Sequence, residues 1–197
     1  MDGTVEKLLV SDEPAVRFKV LVHVLGKDLA CEEVGRVQDA VKASPRVQTL
    51  LAEREADGRI PRGPYGKWRG AHWVLATLAD IGYPAGDESL IPLHRQVSDW
   101  LLSKRHKKSI RSIEGRVRRC ASQEGNALYA ALTLGLADVD EGSRRFADEM
   151  AGRLVRWRCM PGACGALKPS LLPRERPQRL PRYSSSAVCT SGRAMAA

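Results

Sequence analysis

The residues best suited to chemistry in this sequence form one run, KRHKKSIRSIEGRVRR at 104–119. In it Lys104, Arg105, Lys107, Lys108, Arg111, Arg116, Arg118 and Arg119 stand against the one acid Glu114. Cations at that density suit a phosphate or diphosphate group, or a nucleic-acid backbone. The run holds no aromatic residue on which a base could stack, so nucleic acid is not the expected partner. Its plainer reading is a solvated linker helix. Cysteines are the other chemically loaded type. Cys31, Cys120, Cys159, Cys164 and Cys189 form an odd set at irregular spacing. Cys159, Cys164 and Cys189 could offer three zinc ligands, but no CxxC pair is present and the nearest histidine, His106, is far along the chain. Free thiols, no metal and no cofactor are therefore expected.

Whatever holds these groups must be helical. The clearest element is KWRGAHWVLATLADIGYPAGDESLIPLHRQVSDWLL at 67–102, which reads as a helical hairpin. A first helix over 71–81 ends at Gly82, with Pro84 preventing its resumption. A second starts with Ser89 as cap and Pro92 in the first turn, and places Leu93, Val97, Trp100 and Leu101 on one face. The pattern recurs. Superposing Gly26, Gly82 and Gly135 gives steps of 56 and 53 residues. It aligns Leu25, Ile81 and Leu134, then Val22, Leu78 and Ala131, then Phe18, Val74 and Ala127, three rows that make one helical face. Leu50–Leu51 then matches Leu101–Leu102 and Leu154–Val155. Helical repeat arrays have periods of this order.

In chain order, Ser11 or Asp12 caps a helix that carries Pro14 in its first turn and runs to Leu25. Residues 32–43 place Val34, Val37 and Val41 on one side. Ser44 and Pro45 restart a short helix with Val47, Leu50 and Leu51. A Gly- and Pro-rich stretch over 57–66 links this hairpin to the next. Ser122 caps a helix over 123–134, and a last helix over 144–157 lines up Phe146, Met150, Leu154 and Trp157. Between them Asp138, Val139, Asp140 and Glu141 read as an exposed polar turn.

A chain of 197 residues with 43% hydrophobic content can bury one core, and an aromatic fraction of 5% speaks against a strand-rich fold. No window approaches the length of apolar sequence that spans a bilayer, and the first residues lack the pattern of a signal peptide. A soluble, cytoplasmic protein is expected. The net charge of +9 is mostly a property of the end of the chain, where seven Lys or Arg from Arg158 onward face only Glu175. That stretch, 158–197, is rich in Pro, Arg, Ser and Gly, has no helical or alternating period, and is expected to be disordered. It is either a basic tail or the out-of-frame translation of a further hairpin. The second is preferred, because an array without a polar closing element leaves an apolar face uncovered.

Tyr65, Lys67 and Trp68, the run 70–79, Gly82, the run 99–102, the run 123–135, Leu154 and Trp157 together resemble the α/α toroid of terpenoid cyclases and protein prenyltransferases. The likeness is nearest to bacterial proteins with prenyltransferase and squalene oxidase repeats, and it covers residues 11–157. The family's repeat ends in Gln followed shortly by Gly and Trp, whereas Trp157 is followed by Arg158, Cys159 and Met160. Neither the acidic DxDD motif of squalene and hopene cyclases nor the Cys, His and Asp zinc set of the prenyltransferases is present, so no catalytic residue is carried over. The resemblance implies that inner helices line an apolar cavity, whose wall would include His72, Trp73, Glu124, Asn126 and Tyr129. Trp73 and Tyr129 could then stabilise a cation through their ring faces, and Glu124 could serve as acid or base if desolvated. Packing and helix-start roles are the plainer reading of the same residues.

The expectation is thus an all-α domain at 11–157, a partial α/α toroid of about three helical hairpins, followed by a disordered basic tail. Its implied function is that of a terpenoid cyclase- or prenyltransferase-like repeat protein lacking a complete active site, with an isoprenoid or other apolar molecule as ligand. The alternative is a helical interaction module with a protein partner, and the weaker one binds nucleic acid through 104–119.

Overall fold

Prolines and glycines fix many of the helix ends. In the computed structural model, which describes residues 3–113, 116–118 and 121–158, Pro14, Pro45 and Pro92 all stand in first turns, where their missing N–H costs nothing. The helices are α1 (Gly3–Leu9), α2 (Pro14–Lys19), α3 (Glu32–Lys42), α4 (Pro45–Leu51), α5 (Ala71–Asp80), α6 (Ile91–Leu102), α7 (Lys104–Ser109), α8 (Ala121–Thr133), α9 (Leu136–Val139) and α10 (Glu141–Arg158). The chain is all-α apart from one small ribbon. Helix α2 continues as a wider π turn, Val20–Val24, before Leu25 and Gly26.

Gly26, Gly82 and Gly135, the three glycines aligned from the sequence, all have positive φ, at 64°, 84° and 64°. At Gly82 this is compounded by packing, since a Cβ would fall among the ring carbons of Phe18. Only glycine lets α5 stop there against that ring. Of the nine residues in the three aligned rows, Val22 and Leu25 are half-buried and the rest are buried.

Packing pairs α2 with α3, α5 with α6, and α8 with α10, while α5 also lies on α8 and α6 on α10. One core joins them. Leu78, Leu90, Leu93, Leu101, Leu134, Leu136, Phe146 and Met150 are buried in it. Full burial of each such side chain contributes about 1.5–3 kcal/mol. Leu93, Val97 and Leu101 recur at i, i+4 and i+8, so one stripe of α6 faces that core.

Several local expectations are corrected. Glu13, rather than Ser11 or Asp12, caps α2, accepting from Ala15 N at 3.5 Å. Ser11 is occupied elsewhere, its hydroxyl by Glu13 N and its carbonyl by Arg17. Asp87, not Ser89, starts the second helix of its hairpin: its Oδ1 takes Ser89 N at 2.9 Å and opens a 3-10 turn, Glu88–Leu90, that leads into α6. Ser122 lies inside α8 rather than capping it. Asp140 is buried rather than in an exposed turn, and accepts from Ser143 N at 2.7 Å as the cap of α10.

The basic run is not one helix. It gives the six residues of α7 and then a two-stranded antiparallel ribbon, β1 (Arg111–Ile113) with β2 (Arg116–Arg118), in the register Arg111↔Arg118, Ser112↔Val117, Ile113↔Arg116. Like charges at i, i+3 and i+4 disfavour prolonging α7. The Ser109 hydroxyl closes its end on His106 O at 2.6 Å, and the β-branched Ile110, Ile113 and Val117 beyond it suit extended backbone. Arg119, the cysteines after Cys31 and the tail at 159–197 lie outside the described residues.

Candidate functional site

The loop before α5 is wound so tightly that it must contain glycine. Gly66 N donates to Gly63 O (2.8 Å), Gly70 N to Gly66 O (2.7 Å) and His72 N to Pro64 O (3.0 Å). A Cβ at Gly70 would stand 2.6 Å from Pro64 O and 2.7 Å from Gly63 O, closer than a side chain is tolerated. This coil places Tyr65 against the first turn of α5 and the last turns of α6.

An aromatic cluster results. The Tyr65 ring lies 5.0 Å from His72, 5.3 Å from Trp73 and 5.6 Å from Trp100, nearly parallel to the last at 19°. Trp68 meets Trp73 edge to face at 4.6 Å, and Trp100 meets His106 of α7 at 4.7 Å. Trp68 is 66% exposed. Four ring contacts therefore lead from an exposed indole, Trp68, to the basic helix α7. There Lys104, Arg105, Lys107 and Lys108 are exposed and, with Lys67 beside Trp68, have no ion-pair partner among the described residues. Arg62 and Arg69 of the same loop differ, because both are held by Glu53.

At the centre of the cluster is His72, buried and fixed. Its Nε2 donates to Gln123 O of α8 at 3.0 Å, which leaves Nδ1 as a bare lone pair. Burial lowers its pKa from the ordinary imidazole value, against an upward pull from the Gln123 and Ser122 carbonyls. The ring is therefore neutral at neutral pH. Neither His72 Nδ1 nor Trp73 Nε1 has a hydrogen-bond partner among the described residues, although both are buried. An orphan acceptor and an orphan donor thus occur on neighbouring rings 5.2 Å apart.

The other expected wall residues sit elsewhere. Glu124 is buried and pairs with Arg153 of α10 at 3.3 Å, while Arg153 also grips Glu149. That buried ion pair ties α8 to α10. Asn126 is half-buried on α8, and Tyr129 is 46% exposed. Ring contacts link His72 and Trp73 through Tyr65 and Trp100 to His106 of α7, the helix that carries Lys104, Arg105, Lys107 and Lys108. Glu124 is engaged instead with Arg153 on α10. Arg111, Arg116 and Arg118 follow in the ribbon.

No known protein family, curated protein or solved structure matches the chain.

A second polar cluster lies between α6 and the α9–α10 corner. Ser143 Oγ is 2.8 Å from His94 Nδ1 and donates to Asp140 Oδ2 at 2.9 Å, while Arg95 reaches Asp140 Oδ1 at 2.7 Å. The residue types suggest a hydrolytic triad; the order does not. Serine stands in the middle with 0% exposure, its hydroxyl proton engaged by the carboxylate, so it is not a nucleophile awaiting a base. Burial pushes the His94 pKa down to about 4 against an upward pull from Asp140. Burial alone would raise the Asp140 carboxyl, but hydrogen bonds from Arg95 and Ser143 hold it below its ordinary value. This cluster was missed because 49 residues separate Ser143 from His94. Only the Asp-x-x-Ser spacing of a helix cap was visible.

Proposed function

We propose that the chain is a terpenoid cyclase- or prenyltransferase-like helical repeat protein without a complete active site, and that its aromatic corner holds a long apolar molecule with an anionic head, of the isoprenoid diphosphate type. The observation that carries this reading is the run of ring contacts from Trp68 to α7, a helix whose lysines and arginine have no ion partner among the described residues. Ring faces offer dispersion to a hydrocarbon chain and quadrupole stabilisation to a cation formed on it. Lysine and arginine on α7 offer charge to a diphosphate. The helix pairs α2–α3, α5–α6 and α8–α10 stand in this reading for three hairpins of a partial α/α toroid. Binding, rather than turnover, is what this reading assigns to the chain alone.

The test is tryptophan fluorescence of the full chain titrated with farnesyl diphosphate, farnesol and inorganic diphosphate. Farnesyl diphosphate should produce a saturable change at a lower concentration than either part alone. Trp68→Ala should weaken it, and so should the double change Lys107→Ala with Lys108→Ala. Equal responses to farnesol and farnesyl diphosphate would remove the role given to α7, and no saturable response to any of the three would end the reading. Tighter binding of oligothymidine, with a steep salt dependence, would favour nucleic acid at the same corner.

A second reading, a helical module that docks a protein, is favoured by Tyr129 and Leu132. They lie one turn apart on α8, 46% and 52% exposed. It predicts a stable complex from the native host that is lost when Leu132→Lys is introduced.

A further inference from the structure

A cleft of about 450 Å³ opens between the end of α3, helix α4 and the connection from α5 to α6, and it shares no residue with the aromatic corner. Val47, Leu51, Ala52 and the Tyr83 ring line it together with Lys42, Gln48, Arg54, Asp87 and Ser89. The volume is in the range of small-molecule sites. Which molecule it fits follows from the hydrogen bonds already made and those left over.

Asp87 is already engaged by three donors. Its Oδ1 accepts from Ser89 N at 2.9 Å, and its Oδ2 accepts from the Tyr83 hydroxyl at 2.6 Å and from Lys42 Nζ at 2.9 Å. Tyr83 remains a donor, because burial, followed by its bond to Asp87, pushes its pKa up from the ordinary phenol value. Arg54 is different. Its Nη1 donates to Ser89 O at 3.2 Å, and it has no carboxylate partner among the described residues. The guanidinium keeps donors to spare, as does the Lys42 ammonium, which also lies 5.8 Å from the centre of the Tyr83 ring. The charged groups with donors to spare in the cleft are therefore Arg54 and Lys42, while Val47, Leu51, Ala52 and Tyr83 supply an apolar lining.

We propose that this cleft binds a compact organic carboxylate, its oxygens held by Arg54 and its apolar body lying against Val47, Leu51 and Tyr83. A carboxylate fits because a guanidinium fork presents two parallel donors to its two oxygens. Lys42, which also lines the cleft, adds positive charge while paired to Asp87. A cationic ligand would meet Arg54 and Lys42 as like charges, beside an Asp87 already engaged by three donors.

The probe is 3-phenylpropionate, with its neutral counterpart 3-phenylpropionamide, followed by amide chemical shifts of the full-length protein. Saturable shifts confined to residues 42–54 and 83–89 are expected from the acid, and at least about tenfold weaker binding from the amide. Arg54→Gln should weaken the acid by a similar factor, whereas Arg54→Lys, which keeps the charge but not the fork, should retain part of the affinity. Circular dichroism confirms that each variant is folded. Equal binding of acid and amide, binding indifferent to Arg54→Gln, or no saturable shift in these two stretches would each overturn the assignment. The titration is independent of the aromatic corner, so either site can fail without the other.

Discussion

The substitution His94→Gln isolates a pH dependence that the fold builds into its core. His94 is 1% exposed, with the Phe146 ring 5.1 Å away and Ser143 Oγ 2.8 Å from Nδ1. The unfolded chain takes up a proton at an ordinary imidazole pKa of about 6.5, whereas the folded ring does so only at about 4. Because the folded value is the lower one, the unfolded state binds the proton first as pH falls. Stability from this group is fully present above about pH 6.5 and is lost progressively down to about pH 4. The gap of about 2.5 units is worth about 3 kcal/mol in all, of which about 2 kcal/mol has gone by pH 5. Glutamine can still bond Ser143 but cannot titrate. Urea unfolding followed by circular dichroism, at about pH 7 and pH 5, measures the difference. The parent should lose about 2 kcal/mol more than His94→Gln between the two conditions. His72 titrates in both proteins, so its part cancels to first order. An equal loss in the two proteins would refute the account of His94 as a buried neutral ring.

Two more substitutions probe the scaffold. Gly82→Ala should cost about 3 kcal/mol or more, combining positive φ with a collision against Phe18, while Gly26→Ala, with the same sign of φ but open space around it, should cost about 1 kcal/mol. Thermal unfolding compares them, and equal costs would show that the Phe18 contact does not constrain the turn. Glu124→Gln leaves the Arg153 cation buried with only Glu149 beside it, for an expected loss of about 2–3 kcal/mol. Replacing both partners, Glu124→Leu with Arg153→Met, should recover most of that loss in urea unfolding, because the cost lies in the stranded charge rather than in the missing attraction.

The features legible in the sequence were those enforced within a few residues. Helix α5 ends where Gly82 allows it to, and α6 buries Leu93, Val97 and Leu101 because their spacing fixes one face whatever packs against it. The prolines at 14, 45 and 92 mark first turns by the same local logic. Caps were harder. Glu13 and Asp87 took roles expected of Ser11 or Asp12 and of Ser89, because several oxygen-bearing side chains near a helix start compete and neighbouring bonds decide between them. Residues 104–119 were misread as one helix because composition records charge but not the repulsion along a helix face.

By itself the sequence determined an all-helical body, its apolar faces, and the left-handed turns at Gly26, Gly82 and Gly135, since each follows from contacts between near neighbours along the chain. The tertiary structure alone decided which charges and rings meet. Trp68 joins the basic α7 through Trp73, Tyr65 and Trp100, Arg54 and Lys42 face one cleft from different elements, and Ser143 finds His94 across 49 residues. Such meetings depend on how whole helices pack, and a periodicity of 3.6 residues fixes which side of a helix is buried without naming what it is buried against.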